Sequence, residues 1–271
     1  MNNLIQVAVL KGHEKQAWDA KWKKNSSCIL SCSGDKSLRM WAPIKQNIPN
    51  KLSEEDIKIT NQKNLSESVD EQDQMQEETI DNFSWVCLFN LEQSHQRAIR
   101  SVSFEPTSSE VFASASFDGS TGIWSKNSSG DYECFTSLEG HENEVKCVSW
   151  SPSGQLVATC GRDKSIWIWE SMGEYEFECI SVLMEHTQDV KALRWHPFEE
   201  ILVSASYDDT IRIWKENEDD WYCSSILSGH NSTVWSVDFD PTGNYIGEIL
   251  LYNKINNKYL DFIYIILKLI S

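Results

Sequence analysis

Proline and glycine are scarce: the 271 residues include six prolines and twelve glycines. No stretch approaches the roughly 18 uninterrupted apolar residues that a membrane-crossing helix needs. Positive charge is short as well, with 24 Lys and Arg against 41 Asp and Glu, a net charge of −17. Nucleic acid is therefore unsuitable as the main partner, because phosphate binding needs a cationic footprint, although a locally basic face can still exist. The opening MNNLIQVAVL has no cationic region ahead of a long apolar one, so no signal peptide is read. The expected compartment is the cytoplasm, with the nucleus left open, and no membrane is expected as a partner.

The eight cysteines contain no C-x-x-C; they stand at 28, 32, 87, 134, 147, 160, 179 and 223. Without a secretory signal, free thiols are the default. Cys87, Cys134, Cys179 and Cys223 recur in similar settings, WVC, YEC, FEC and WYC. Equivalent positions in separate units cannot share one metal, so the cysteines are expected to be buried and inert, with no metal and no cofactor.

What the chain does contain is tryptophan at fixed spacing, and a 40% hydrophobic content sufficient for a large core in one or two domains. His13, His95, His141, His186 and His230 each precede a segment like VKCVSWSPSGQLVATC, and the last four lie 46, 45 and 44 residues apart. In four units an aspartate follows the histidine by 22 or 23 residues and a tryptophan follows six later: Asp35 and Trp41, Asp118 and Trp124, Asp163 and Trp169, Asp208 and Trp214. Four residues before each aspartate stands a hydroxyl, Ser31, Ser114, Thr159 or Ser204. Within each unit, short alternating apolar runs separated by polar turns predict four strands per roughly 45 residues. Gly-His near one end and Trp near the other match a WD40 blade, so the expected fold is an all-β propeller with four complete blades and the start of a fifth.

Asp, His and Ser held together resemble a hydrolase triad. A catalytic triad occurs once, beside an oxyanion hole, whereas this set occurs four times with a tryptophan attached. The structural reading is a chain of hydrogen bonds from turn aspartate to histidine, histidine to strand hydroxyl, and hydroxyl to indole N–H.

Two segments break the repeat. Residues 42–84 are rich in Glu, Asp, Gln, Asn and Ser, cannot bury enough surface to offset their ordering entropy, and are expected to be a disordered acidic insertion between the third and fourth strands of the first blade. Residues 247–271 carry no repeat register and read as a non-repeat apolar tail of the kind that translated AT-rich, unspliced sequence would give. LIQVAVL before Gly12 reads as the outer strand of a blade whose inner strands would come from the end of a closed propeller. Exposed sheet edges and the segment YLDFIYIIL predict poor solubility of the chain alone.

The stretches LEGHENEVKCVSWSPSGQLVATCGRDKSIWIWE and HTQDVKALRWHPFEEILVSASYDDTIRIWKENEDDWYC, with SHQRAIRSVSFEPTSSEVFASASFDGSTGIW, resemble the WD40 subunit of the cytosolic iron–sulfur protein assembly machinery. The resemblance covers about residues 85–245 and, more loosely, 4–41. It implies a seven-bladed, non-enzymatic adaptor in the cytosolic targeting complex. There it would work with a small partner subunit and a HEAT-repeat scaffold, and would hand iron–sulfur clusters to apoprotein clients.

Propellers bind on the face where inter-blade loops and aspartate turns emerge. Two kinds of position should reach it: the residue before the turn aspartate, and residues flanking the valine-like position four after the histidine. These are Gln16, Trp18 and Gly34; Arg100 and Phe117; Glu144, Lys146 and Arg162; Asp189, Lys191 and Tyr207; and Trp235. Arg100, Lys146, Arg162 and Lys191 then form a cationic arc with Trp18, Phe117, Tyr207 and Trp235 nearby. Arg162 is singled out for partner binding, because a lone arginine in that slot has no evident local structural role. A generic WD40 receptor, such as a ubiquitin-ligase substrate subunit, is the alternative and predicts recruitment domains. An enzyme or cluster carrier would need clustered thiolates or a unique acid–base pair, which the spacing does not supply.

Overall fold

The computed structural model describes residues 6–45, 83–108, 110–218, 220–251 and 262–268. Among them there is no helix; nineteen strands form five antiparallel sheets. The first sheet is β1 (Ala17–Trp22), β2 (Ile29–Ser33), β3 (Leu38–Lys45) and β4 (Phe83–Leu91). The second is β5 (Ile99–Phe104), β6 (Phe112–Ser116), β7 (Thr121–Lys126) and β8 (Tyr132–Leu138). The third is β9 (Val145–Trp150), β10 (Leu156–Gly161), β11 (Ile166–Gly173) and β12 (Glu176–Leu183). The fourth is β13 (Val190–Trp195), β14 (Ile201–Ser206), β15 (Ile211–Glu216) and β16 (Trp221–Leu227). The fifth has three strands, β17 (Val234–Phe239), β18 (Tyr245–Leu251) and β19 (Phe262–Lys268).

Strands follow chain order within each sheet, and the first strands pack on one another in succession, β1 on β5, β5 on β9, β9 on β13 and β13 on β17. That is the arrangement of propeller blades around an axis. Both faces of the second, third and fourth blades are covered, so the core lies in four layers between the five sheets. Leu30, Leu38, Ile99 and Phe112 fill the first layer, and Ala115, Ile123, Val148 and Trp169 the second. Cys160, Ile168, Leu193 and Trp214 fill the third, and Val203, Ile211, Val237 and Ile246 the fourth.

The first blade shows what an uncovered face looks like. Val102, Val148, Leu193 and Val237 are buried in the second to fifth blades, but their equivalent Ala20 is exposed, as is Ala17, and Trp22 is 64% exposed. No sheet covers that side of β1 among the described residues, so the propeller is incomplete or open.

Three expectations need correction. Cys87, Cys134 and Cys179 are exposed and Cys223 partly so, instead of buried. Each lies on an outermost strand opposite its blade's Trp, where the register jumps, and donates its S–H weakly to the carbonyl two residues on. The insertion is narrower than 42–84, because β3 runs to Lys45 and β4 starts at Phe83; residues 46–82 lie outside the described residues. The tail is also partly accommodated in the fifth blade. Residues 245–251 pair with β17, and 262–268 pair with β18, while 252–261 and 269–271 lie outside the described residues. A run of Ile, Leu and Tyr satisfies a strand's preference for β-branched and aromatic residues even without the blade's turn signals.

Candidate functional site

Each innermost strand carries the same irregularity. The register of β1 on β2 jumps between Ala17 and Asp19, and β5, β9, β13 and β17 jump at the equivalent step. The residue passed over is a β-bulge, a device that re-aims a side chain. In chain order the five bulge residues are Trp18, Arg100, Lys146, Lys191 and Trp235.

The residue before each turn aspartate is fastened beside that bulge. The N–H of Gly34, Phe117, Arg162 and Tyr207 donates to the carbonyl two residues before the bulge, of Gln16, Ala98, Glu144 and Asp189, at 3.0, 2.9, 2.9 and 2.9 Å. Two positions per blade therefore meet at one end of the propeller. Cations there rest on aromatic faces: Arg100 over Trp18 at 4.8 Å, Lys146 over Phe117 at 4.2 Å, and Lys191 over Tyr207 at 3.7 Å and Trp235 at 5.4 Å. Glu144 gathers three more contacts, with Lys146 at 2.6 Å, Arg97 at 2.8 Å and Arg162 at 3.8 Å. Burial opposes ionisation of Glu144, but the bonds from Lys146 and Arg97 outweigh it and hold its carboxyl below the ordinary value.

Where the bulges converge lies a cavity of about 170 Å³ lined by Trp18, Arg100, Lys146, Lys191 and Trp235, with Asp19, Cys147 and Arg194 further along the same strands. The Lys191 ammonium is held below the usual lysine range by burial and then by the nearby charges of Lys146 and Arg100. Cys147 is lowered by a hydrogen bond from Cys160 and by the Arg194 guanidinium, while burial pushes Cys160 up. A larger open groove, about 1080 Å³, runs past Asp35, His95, Asp118 and His141, whose polar atoms are already engaged with one another and their blades.

Those polar atoms form the repeated chains. His13 Nδ1 lies 3.1 Å from Asp35 and Nε2 2.8 Å from Ser31, whose oxygen accepts the Trp41 indole N–H at 2.9 Å. The second blade joins His95 to Asp118 and Ser114 at 3.2 and 2.7 Å, with Trp124 donating at 2.8 Å. The third joins His141 to Asp163 and Thr159 at 2.7 and 2.9 Å, with Trp169 donating at 3.0 Å. In the fourth, His186 meets Asp208 and Ser204 at 2.7 Å each and Trp214 donates at 2.8 Å. A proton order that uses every atom has Nδ1–H donating to the aspartate carboxylate and the Ser or Thr hydroxyl donating to Nε2. A fifth member, not anticipated from spacing, is the hydroxyl two after each aspartate: Ser37, Ser120, Ser165 and Thr210 donate to the carboxylate at 2.6, 2.7, 2.6 and 2.6 Å.

The repeat is confirmed independently by a family model, WD domain, G-beta repeat, which matches residues 4–42, 85–125, 132–170, 177–215 and 221–248. The chain belongs to the WD40 repeat family. Among curated relatives, a probable cytosolic Fe-S cluster assembly factor of Schizosaccharomyces japonicus is 39% identical over 93% of this chain and 36% of its own length. A probable cytosolic iron-sulfur protein assembly protein 1 of Kluyveromyces lactis is 50% identical over 56% of this chain and 48% of its own. A probable cytosolic iron-sulfur protein assembly protein CIAO1 homolog of Schistosoma japonicum is 39% identical over 91% and 60%. The chain thus spans between about a third and somewhat over half of these relatives.

On this WD40 frame the anticipated face residues divide into two groups. Trp18, Arg100, Lys146, Lys191 and Trp235 line the axial cavity, whereas Phe117, Arg162 and Tyr207 do not and belong to the turns around it. Arg162 is not without a local partner, as was expected, since Glu144 faces it, although 56% of its side chain stays exposed. Its turn also differs from the others. Ser33, Ser116 and Ser206 each accept the N–H of the turn aspartate, but the third blade has Gly161 there. A Cβ at Gly161 would lie 2.6 Å from the Glu144 carbonyl, so glycine permits the close approach. Arg97 and Arg194 were missed, because their counterparts in other blades are Lys15, Asn143 and Gln188, and Lys21, Ser103, Ser149 and Asp238. No period marks them. The hydroxyl of the turn, in contrast, was readable in DKS, DGS, DKS and DDT.

Proposed function

We infer that this chain is a non-enzymatic adaptor of cytosolic iron–sulfur protein assembly, acting in the cytoplasm. In this reading its bulge-and-turn face binds partner subunits of the targeting complex, the small subunit and the HEAT-repeat scaffold, as well as apoprotein clients. The observation that carries the reading is the belt of Arg97, Arg100, Lys146, Arg162 and Lys191 interleaved with Trp18, Phe117, Tyr207 and Trp235 on a chain of net charge −17. Arginine and large aromatics dominate interface energetics. The guanidinium offers carboxylates a planar fork that lysine cannot. The names of the curated relatives supply the pathway.

Affinity capture with the chain as bait, from cytosol of a related organism, tests this. Recovery of iron–sulfur assembly components and apo iron–sulfur proteins is the expected result. Recovery of ubiquitin-ligase subunits without them would replace the reading by the generic receptor.

A further inference from the structure

At the centre of the belt, the axial cavity has the features of a small-anion site. Four cations, Arg100, Lys146, Lys191 and Arg194, line it against one carboxylate, Asp19. Asp19 is already occupied: it takes the Lys21 ammonium at 3.0 Å, the Ser101 hydroxyl at 3.1 Å and the Val102 N–H at 3.2 Å. Ionisation of the Cys147 thiol would add one negative charge, offsetting one of the four cations and no more.

The cations are incompletely neutralised. Among the described residues no carboxylate pairs with Arg100, whose guanidinium rests on the Trp18 ring and reaches only its carbonyl, at 3.5 Å. The Lys191 side chain is 13% exposed, and its nearest carboxylate, Asp189, stands 3.6 Å away. Arg194 reaches Asp238 only at 3.7 Å. Ring faces attract cations without cancelling their charge. Like charges pressed together in a partly dehydrated place cost free energy that a counter-ion would return. The volume, about 170 Å³, suits one compact ligand and excludes a folded element.

We propose that this cavity binds a single phosphate-type dianion, as the free ion or as the end group of a small phosphate monoester, held between Arg100 and Lys191 and walled by Trp18 and Trp235. A dianion matches the two bulge cations that have no short carboxylate contact, and Ser236 at the cavity supplies a hydroxyl of the type that accompanies phosphate oxygens. This assignment is independent of which proteins dock above, and titration of the isolated chain reads it without any partner.

The test is thermal denaturation and calorimetric titration of the full chain with inorganic phosphate and, separately, O-phosphoserine, at constant ionic strength against chloride. A saturable rise in Tm with phosphate is expected, and Arg100→Gln and Lys191→Met should each weaken binding at least tenfold. Lys164→Met, which removes an exposed charge outside the cavity, should bind like the parent and shows that loss of charge alone is not the cause. Stronger binding of phosphoserine would identify the monoester as the source, and equal binding the free ion. Absence of any phosphate effect beyond chloride, or undiminished binding by both cavity variants, would overturn the assignment. Circular dichroism of each variant separates lost binding from lost fold.

Discussion

At the scale of single residues, the four aspartates illustrate how one group can hold several. Burial by itself would raise Asp35, Asp118, Asp163 and Asp208. Donated bonds from the turn hydroxyl, backbone N–H groups and histidine outweigh it and hold all four carboxyls below the ordinary value, Asp208 at about 2. Removal of one, as in Asp163→Ala, leaves a histidine and a hydroxyl short of a partner and should cost about 1–3 kcal/mol, read by denaturant titration. The pH dependence has a definite sign. A carboxyl depressed in the folded state stabilises above its ordinary 3.8, and that contribution disappears as pH falls through the folded value. Burial also lowers His13 and His186, so the folded state resists their protonation and loses relative stability once pH drops below the ordinary 6.5. Tm should be level between about pH 7 and 8, decline below 6.5 and fall steeply below 4; a Tm that rises on acidification from 6.5 would refute the burial of these histidines, and one that stays level below 4 would refute the carboxylate hydrogen bonds. These chains were legible in sequence because fixed spacing encodes them. The hub at Glu144 was not, because Arg97, which reaches it from the neighbouring blade, stands at a position that the repeat does not mark.

At the scale of the element, the bulge decides what a blade presents. Sequence periodicity located the inner strands and the residues flanking their first valine-like position. It did not reveal that one residue per strand leaves the ladder, a property of hydrogen-bond register and not of hydrophobicity. The turn that follows is equally constrained: Lys36, Gly119, Lys164 and Asp209 all sit at positive φ, between 63° and 94°. Only the second blade uses glycine there, and its Cβ position faces the His141 carbonyl at 3.4 Å. Gly119→Val should therefore destabilise by at least about 1–2 kcal/mol in denaturant titration, with the second blade losing hydrogen-exchange protection first. Between blades, Leu193 is fully buried in the third core layer. Leu193→Ala should cost about 2–5 kcal/mol, and a loss under 1 kcal/mol would mean that the third and fourth sheets are not packed as described.

For the whole molecule, the acidic composition that argues against nucleic acid as the main partner also explains why the belt is conspicuous, since cations are rare and yet collect at one end of the axis. Fold class was legible from the 45-residue period. The strand pairing of the described tail residues was not, because outside the repeat nothing but β-propensity marked it. The exposed side of β1, with Ala17, Ala20 and Trp22, and the three-stranded fifth sheet leave surfaces that other strands can cover. Sedimentation of the isolated chain should show self-association that grows with concentration, whereas a sample that stays monomeric as concentration rises would contradict an open propeller.

The central claim is that a non-catalytic face centred on Arg162 recognises assembly proteins. Its most direct test is titration calorimetry of the chain against the assembly partner recovered by capture, comparing the parent with Arg162→Glu and with Lys164→Glu two residues away. The account predicts that Arg162→Glu weakens binding by about 2 kcal/mol or more, roughly thirtyfold in Kd, at unchanged Tm, while Lys164→Glu leaves affinity unchanged. Equal affinity for the parent and Arg162→Glu would contradict it.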